Sequence, residues 1–144
     1  MLKINTIAAI LLTMISCAVN HNKPIENDLK TVEITRIQST RKYTESQIID
    51  SKKTYIIHNF DTIVRETRKE DWKKIKELLH PINLSKLENI VVDKSAQTHQ
   101  FDGAPLVNIV VKENEINYYS PSYDAGSAPK EIYELDVFLK SLSE

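Results

Sequence analysis

Alternation of apolar and polar positions predicts three strands in the first half of the chain. Val32 and Ile34 alternate with polar neighbours inside residues 29–38, which is the period of a strand with one buried face. Residues 41–49 show a weaker form of this pattern. Residues 53–64 (KTYIIHNFDTIV) are rich in the β-branched and aromatic residues that favour strands. Because the three runs follow one another closely, we expect them to form an antiparallel meander.

The hydrophobic period then changes to that of a helix. Thr67 and Glu70 have the spacing of a capping box, in which two side chains satisfy unpaired backbone donors at a helix start. Pro81 disfavours helical geometry at His80 and therefore predicts the helix end there. The apolar residues at helical spacing between these signals are Trp72, Ile75, Leu78 and Leu79. This spacing predicts that Trp72 belongs to the core.

A hairpin and a second helix are predicted in the last third of the chain. Residues 105–112 (PLVNIVVK) and 115–120 (EINYYS) have strand composition. The Glu-Asn pair at 113–114 predicts a tight turn between them, since Asn tolerates positive φ. A Ser-Ala-Pro sequence at 127–129 predicts the start of a helix, with proline near the first turn. The apolar stripe of this helix consists of Ile132, Leu135, Phe138, Leu139 and Leu142.

The order of these elements predicts an α+β fold. With one further helical turn at 85–88 and a short strand at 90–92, the order is β-β-β-α-β-β-β-α. It indicates a mostly antiparallel sheet of about five to six strands, with two helices packed on one face. The opposite face must then be polar or be covered by a partner. Residues 29–144 suit a single α+β domain, since a chain of 144 residues leaves little room for a second core.

The N-terminal segment has the organisation of a secretory signal. Lys3 gives a short positive start, and residues 4–15 are mostly apolar, as in the charged and apolar regions of a signal peptide. The apolar run is shorter than the ~20 residues of a comfortable membrane span. Residues 1–16 are therefore expected to be a signal peptide.

The single cysteine of the chain follows this run, in the sequence Met14-Ile15-Ser16-Cys17. The sequence resembles the lipobox of bacterial lipoproteins, with Met14 where leucine is the usual residue. The resemblance implies a diacylglyceryl group on the Cys17 thiol and cleavage after Ser16, so that lipid chains anchor the protein in a membrane. Because no second cysteine exists, no intramolecular disulfide can form.

Residues 17–28 are expected to be the lipidated cysteine and a flexible tether. Residues 18–28 (AVNHNKPIEND) are polar, contain Pro24 and show no periodicity. Lipoproteins sent to the cell surface in Bacteroidota often carry acids close behind the cysteine, whereas the first acid here is Glu26. The resemblance to small lipoproteins of that group therefore implies the bacterial cell envelope, on the outer membrane facing the periplasm.

The charge balance argues against several classes of partner. The chain has 19 basic and 20 acidic residues, for a formal net charge of -1. This provides no basic field for nucleic acid, and no polybasic patch for a membrane surface. Attachment to the membrane is therefore expected through the lipid on Cys17, with another envelope protein as the expected partner of the domain.

Both glycines of the chain follow an aromatic–acid pair, in residues 101–103 (FDG) and 123–126 (YDAG). The two segments flank the predicted hairpin, whose pairing would bring Asp102 and Asp124 to one edge. Turn chemistry explains both glycines without a ligand. Tyrosines near exposed turns suit recognition. The candidate binding surface is Asp102, Tyr119, Tyr123 and Asp124.

Catalysis has weaker support in the sequence. His99, Asp102 and Asp124 could form an acid–base or metal site. No H-x-x-x-H, C-x-x-C or H-E-x-x-H spacing occurs, so no metal or other cofactor is expected. G-x-S-x-G and the usual nucleotide-binding motifs do not occur either.

These observations favour a non-enzymatic binding or accessory module that is tethered in the envelope. It would act as an inhibitor-like protein or as a subunit of an envelope complex. Two alternatives remain open: a small hydrolase or metal-dependent enzyme using His99, Asp102 and Asp124, and a sensor that binds a small ligand between sheet and helices.

Overall fold

A computed structural model describes residues 31–93 and 104–143 of the chain. Its strands are β1 (Glu33–Ser39), β2 (Thr44–Ile49), β3 (Lys53–His58), β4 (Asp61–Glu66), β5 (Leu106–Glu113), β6 (Ile116–Tyr119) and β7 (Tyr123–Asp124). Its helices are α1 (Lys69–Leu79), a 3-10 helix (Leu84–Asn89) and α2 (Tyr133–Ser141).

The strands form one antiparallel sheet in the order β4-β3-β2-β1-β5-β6. The two-residue strand β7 pairs with the start of β5. The α+β class predicted from the sequence is therefore confirmed, with a sheet of seven strands and two α-helices in the described part of the chain. Strands β1 to β4 are the predicted meander, and β1 joins it to the late hairpin by pairing with β5.

The segment predicted as one strand at 53–64 is a hairpin of two strands. Asn59 adopts a φ of 55° at the turn, a conformation that asparagine tolerates better than most residues. Phe60 extends the strand-like composition across the turn, although its side chain is fully exposed. The residue composition of this segment therefore did not predict the turn. The residues at 90–92, predicted as a strand, form no strand; Ile90 and Val92 pack against the core instead.

The capping box predicted for the first helix does not form. The hydroxyl of Thr67 lies 3.0 Å from that of Thr54 on β3, at hydrogen-bonding distance, and α1 begins at Lys69 with no side-chain cap. Arg68 and Asp71 form an ion pair across the first turn, at 2.7 Å. The predicted end is confirmed, because α1 stops at Leu79, just before His80 and Pro81.

The late hairpin turns as expected, one residue further along the chain. Asn114 and Glu115 both have positive φ, 47° and 69°, which is the geometry of a type I′ turn between two antiparallel strands. The register pairs Glu113 with Ile116 across this turn.

One face of the sheet carries the core. Every buried residue of β1 to β5 lies on that face, where neighbouring strands align Ile34 with Ile49 and with Val111. The predicted core position of Trp72 is confirmed. The buried hydrophobic residues that the helices and the segment beside them contribute are Trp72, Ile75, Leu79, Leu87, Ile132, Leu135, Leu139 and Leu142.

Candidate functional site

The structure places the predicted binding residues in different environments. Tyr119, at the end of β6, is 51% exposed. Tyr123 and Asp124 form β7 and are buried, opposite Val107 and Leu106 of β5. The expectation that Tyr123 and Asp124 present a recognition surface is therefore wrong, because their side chains belong to the interior. His99 and Asp102 lie outside the described residues, as does Cys17.

A side-chain hydrogen bond explains why the chain turns inward after β6. The Ser120 amide donates to the Ile109 carbonyl at 2.8 Å, and the Ile109 amide donates to the Ser120 hydroxyl at 2.9 Å. The Ser120 hydroxyl donates in turn to the carbonyl of Pro121, at 3.0 Å. The Ser120 hydroxyl thus accepts the hydrogen bond that a backbone carbonyl would accept in a regular strand. Backbone pairing with β5 resumes at Tyr123. Gly126, at a φ of 88°, supplies the turn that follows β7.

A buried polar cluster joins the sheet to α2. We define it as Arg36, Gln47, Tyr123 and Asp136, all of which are buried. Arg36 on β1 donates from Nε to the Asp136 carboxylate at 2.7 Å, and from Nη1 to the side-chain carbonyl of Gln38 at 3.2 Å. This ion pair is a buried polar connection between the sheet and α2.

Two members of the buried polar cluster have unsatisfied groups. Gln47 lies directly opposite Arg36 on β2, and neither its side-chain nitrogen nor its oxygen has a hydrogen-bond partner in the described structure. Tyr123 Oη lies near Asp136 but outside hydrogen-bonding geometry. Burial, and then the negative charge of Asp136, raise the pKa of the Tyr123 phenol well above its ordinary value, while Arg36 opposes the change. The phenol is therefore held protonated.

The positions of Arg36 and Asp136 in the hydrophobic pattern indicate that both are buried, but charged side chains are normally expected at the surface. Arg36 has the same strand parity as Val32 and Ile34, so a strict alternation places it on the buried face. Asp136 follows Ile132 by four residues, on the apolar side of the second helix. Because charged residues usually face solvent, such buried positions are not predicted unless the oppositely charged partner is known.

The opposite face of the sheet carries a line of mostly apolar side chains among polar ones. One line of directly opposed residues crosses six strands, and five of its six side chains are apolar or aromatic. We call this line the apolar row; from β4 to β6 it is Val64, Tyr55, Ile48, Thr35, Val110 and Tyr119. Ile57 and Ile37 lie in the next line on the same face. None of these side chains is buried, and Val64 and Tyr119 are about half exposed.

Charged residues border the apolar row along one side. Glu66 lies opposite Lys53, and Glu33 lies opposite Lys112, in the line of residues adjacent to the row. An apolar centre with a polar rim is the usual anatomy of a protein–protein interface. The sequence did not reveal this arrangement, because it depends on which residues of six separate strands stand opposite one another.

Other sites have less support. A groove of about 600 Å³ lies between α1 and α2, but Glu77, Glu131 and Glu134 are among the residues that line it. Ligand pockets usually enclose most of the ligand's surface, whereas this groove is partly open to solvent. Within residues 31–93 and 104–143, no group of three or more His, Cys, Asp or Glu side chains is placed to hold a metal ion. No helix in these ranges is long and apolar enough to cross a membrane.

Comparison of the chain with family models, with curated proteins and with solved structures finds no match. The molecule is therefore classed by its architecture: an antiparallel sheet with helices on one face and an apolar row on the other.

Proposed function

We propose that this chain is a membrane-anchored lipoprotein of the bacterial envelope whose domain is a non-enzymatic protein-binding module. The apolar row is its contact surface. The observation that supports the binding role is a continuous line of mostly apolar side chains on a sheet face that no described helix covers. The anchoring role rests on the lipobox-like residues that end at Cys17.

The shape of the surface favours a protein over a small molecule. Neighbouring strands lie about 4.8 Å apart, so a row crossing six strands extends over roughly 24 Å. A broad sheet face of this size offers no enclosure to a small ligand, whereas a protein with an apolar patch can cover it. Tyr55 and Tyr119 also supply aromatic side chains, which often dominate binding energy at interfaces. The proposed partner is an envelope protein with a complementary apolar face.

The binding role can be tested by cross-linking in cells and recovery of the tagged protein from envelope fractions. Tyr55→Lys places a charge within the apolar row, and should reduce recovery of a specific partner more than tenfold. Thr44→Lys is the matched control, since Thr44 is exposed on the same face but lies outside the row. Urea unfolding of both variants establishes that they are folded. Equal recovery with Tyr55→Lys and wild type would contradict the proposed surface, and so would the absence of any partner.

The anchoring role has a separate test. Wild-type protein should incorporate a radiolabelled fatty acid and sediment with membranes, whereas Cys17→Ser should do neither. A labelled Cys17→Ser protein would show that the lipid is attached elsewhere. An unlabelled wild-type protein would overturn the lipoprotein assignment without affecting the binding test.

A further inference from the structure

The outer edge of β4 is open in the described structure. β4 is the last strand of the sheet order, and all six of its residues are exposed. The Thr67 amide donates to the Lys52 carbonyl at 2.9 Å, which continues the β3–β4 ladder by one position. Since backbone groups alternate in direction along an antiparallel pair, the odd-numbered residues of β4 face β3. The amides and carbonyls of Thr62, Val64 and Glu66 therefore point toward the open edge.

The side chains of β4 make this edge complementary to itself. Two copies related by a twofold axis perpendicular to the sheet pair antiparallel, with residues of the same face opposite each other. When Ile63 is opposite Ile63 of the second copy, Asp61 stands opposite Arg65 at both ends. Thr62 then stands opposite Val64, and these are the residues whose backbone groups point outward. This register pairs opposite charges twice and covers Ile63, whose side chain is 63% exposed.

The two adjacent twofold registers lack this complementarity. With Thr62 opposite Thr62, Asp61 would face Ile63. With Val64 opposite Val64, Thr62 would face Glu66 and Ile63 would face Arg65, so no opposite charges would meet. Arg65 is also held in place within its own subunit, because its Nη2 donates to the Leu142 carbonyl. A guanidinium has further N–H groups for a second acceptor.

We propose that the domain forms a twofold dimer by antiparallel pairing of β4 with β4 of a second copy, with Ile63 at the axis. The two sheets then form one continuous sheet. Their apolar rows lie on the same side of it, because the axis is perpendicular to the sheet. The dimer goes beyond the proposed function and does not depend on it, since the residues that favour its register, Asp61, Ile63 and Arg65, are not part of the apolar row.

Disulfide formation between introduced cysteines reports which residues of the two β4 strands lie opposite each other. In a chain carrying Cys17→Ser, which removes the only native cysteine, Ile63→Cys should give a disulfide-linked dimer on mild oxidation. Opposed Cα atoms at such a non-hydrogen-bonded pair lie about 4.5 Å apart, within disulfide range. Val64→Cys is the matched control, and should link at least tenfold less because in this register Val64 faces Thr62. Preferential linking through Val64→Cys would overturn the register.

Variants without new cysteines test the dimer itself. Light scattering across a range of protein concentrations should show a dimer for the Cys17→Ser protein and a monomer for Asp61→Arg, in which like charges oppose each other. The combined change Asp61→Arg and Arg65→Asp should restore the dimer. A Cys17→Ser protein that is monomeric at all concentrations overturns the proposal. Amide protection at Thr62 and Val64 in such a monomer would show that another segment of the same chain occupies the edge.

Discussion

At the scale of single residues, the Arg36–Asp136 ion pair places two opposite charges in the interior of the domain. Both side chains are buried and their bonded atoms are 2.7 Å apart. Burying two charges costs desolvation energy, which their attraction and added hydrogen bonds must offset. Removing one partner is therefore expected to be much worse than replacing both, because it leaves a buried charge without compensation.

We expect Asp136→Asn to lower the free energy of unfolding by about 3–5 kcal/mol, since Arg36 would stay buried without its counter-charge. Urea unfolding measures the change. Glu77→Gln is the control, because Glu77 pairs with Lys74 at 3.9 Å in solvent, and should cost less than about 1 kcal/mol. The double replacement Arg36→Met with Asp136→Leu should recover most of the loss. Equal, small losses from Asp136→Asn and Glu77→Gln would refute this view of the pair.

The raised pKa of Tyr123 predicts a specific loss of stability in alkali. Above about pH 10, the ordinary pKa of a phenol, the unfolded chain releases the proton that the folded chain retains. The free energy of unfolding should therefore fall as pH rises beyond that point, by at most about 1.4 kcal/mol per pH unit from this group. Comparison of urea unfolding between pH 7 and 11.5 for wild type and Tyr123→Phe isolates the effect.

The Tyr123→Phe variant should lack this component of the alkaline decline. Tyr119→Phe, at a half-exposed tyrosine, should keep the wild-type profile. Parallel profiles for wild type and Tyr123→Phe would mean that the phenol ionises equally in folded and unfolded chains.

At the scale of elements, Ser120 is what allows β6 and β7 to share one neighbour. Ser120→Ala removes the acceptor of the buried Ile109 amide, and a buried donor left unpaired costs about 1–3 kcal/mol. Urea unfolding should show that loss, and hydrogen exchange at the Ile109 amide should become faster. Ser122→Ala, two residues on at an exposed position, should change stability by less than about 0.5 kcal/mol. Unchanged exchange at Ile109 in Ser120→Ala would contradict the assigned role.

Local sequence signals correctly predicted the end of α1 and the turn of the β5–β6 hairpin, because residues at those positions determine them. Pro81 stops α1, and Asn114 permits the type I′ turn of the β5–β6 hairpin. The capping signal at Thr67 failed because Thr54, from a different strand, provides the contact made by the Thr67 hydroxyl. A tertiary contact of that kind has no local signature.

The candidate site was less predictable than the fold, because both of its parts depend on register. Ile48 stands between buried Gln47 and Ile49, and Tyr55 stands between buried Thr54 and partly buried Ile56. Their alignment into a row follows from pairings that no local pattern encodes. The sequence predicted that the second sheet face must be polar or covered by a partner, but the residues of that face could be assigned only with the strand order.

At the scale of the whole molecule, the two faces of the sheet have different roles. One face binds the helices through the core and the buried polar cluster, and the other is available to a partner along the apolar row. A lipid on Cys17 would confine copies of the domain to one membrane surface, which raises their effective concentration for each other and for an anchored partner. Weak contacts through β4 or the apolar row could then suffice in the envelope.

The Arg36–Asp136 contact also affects when the domain can fold during its synthesis. Its two residues are 100 positions apart in the chain, and ribosomes add about 5–20 residues per second. Roughly 5 to 20 seconds therefore pass between the synthesis of Arg36 and that of the carboxylate that neutralises it. Throughout this interval β1 carries a charge that the finished core could not accept alone, so the complete fold is disfavoured until α2 has been made. For the exported lipoprotein proposed above, this interval would be available for recognition of the export signal before the domain folds.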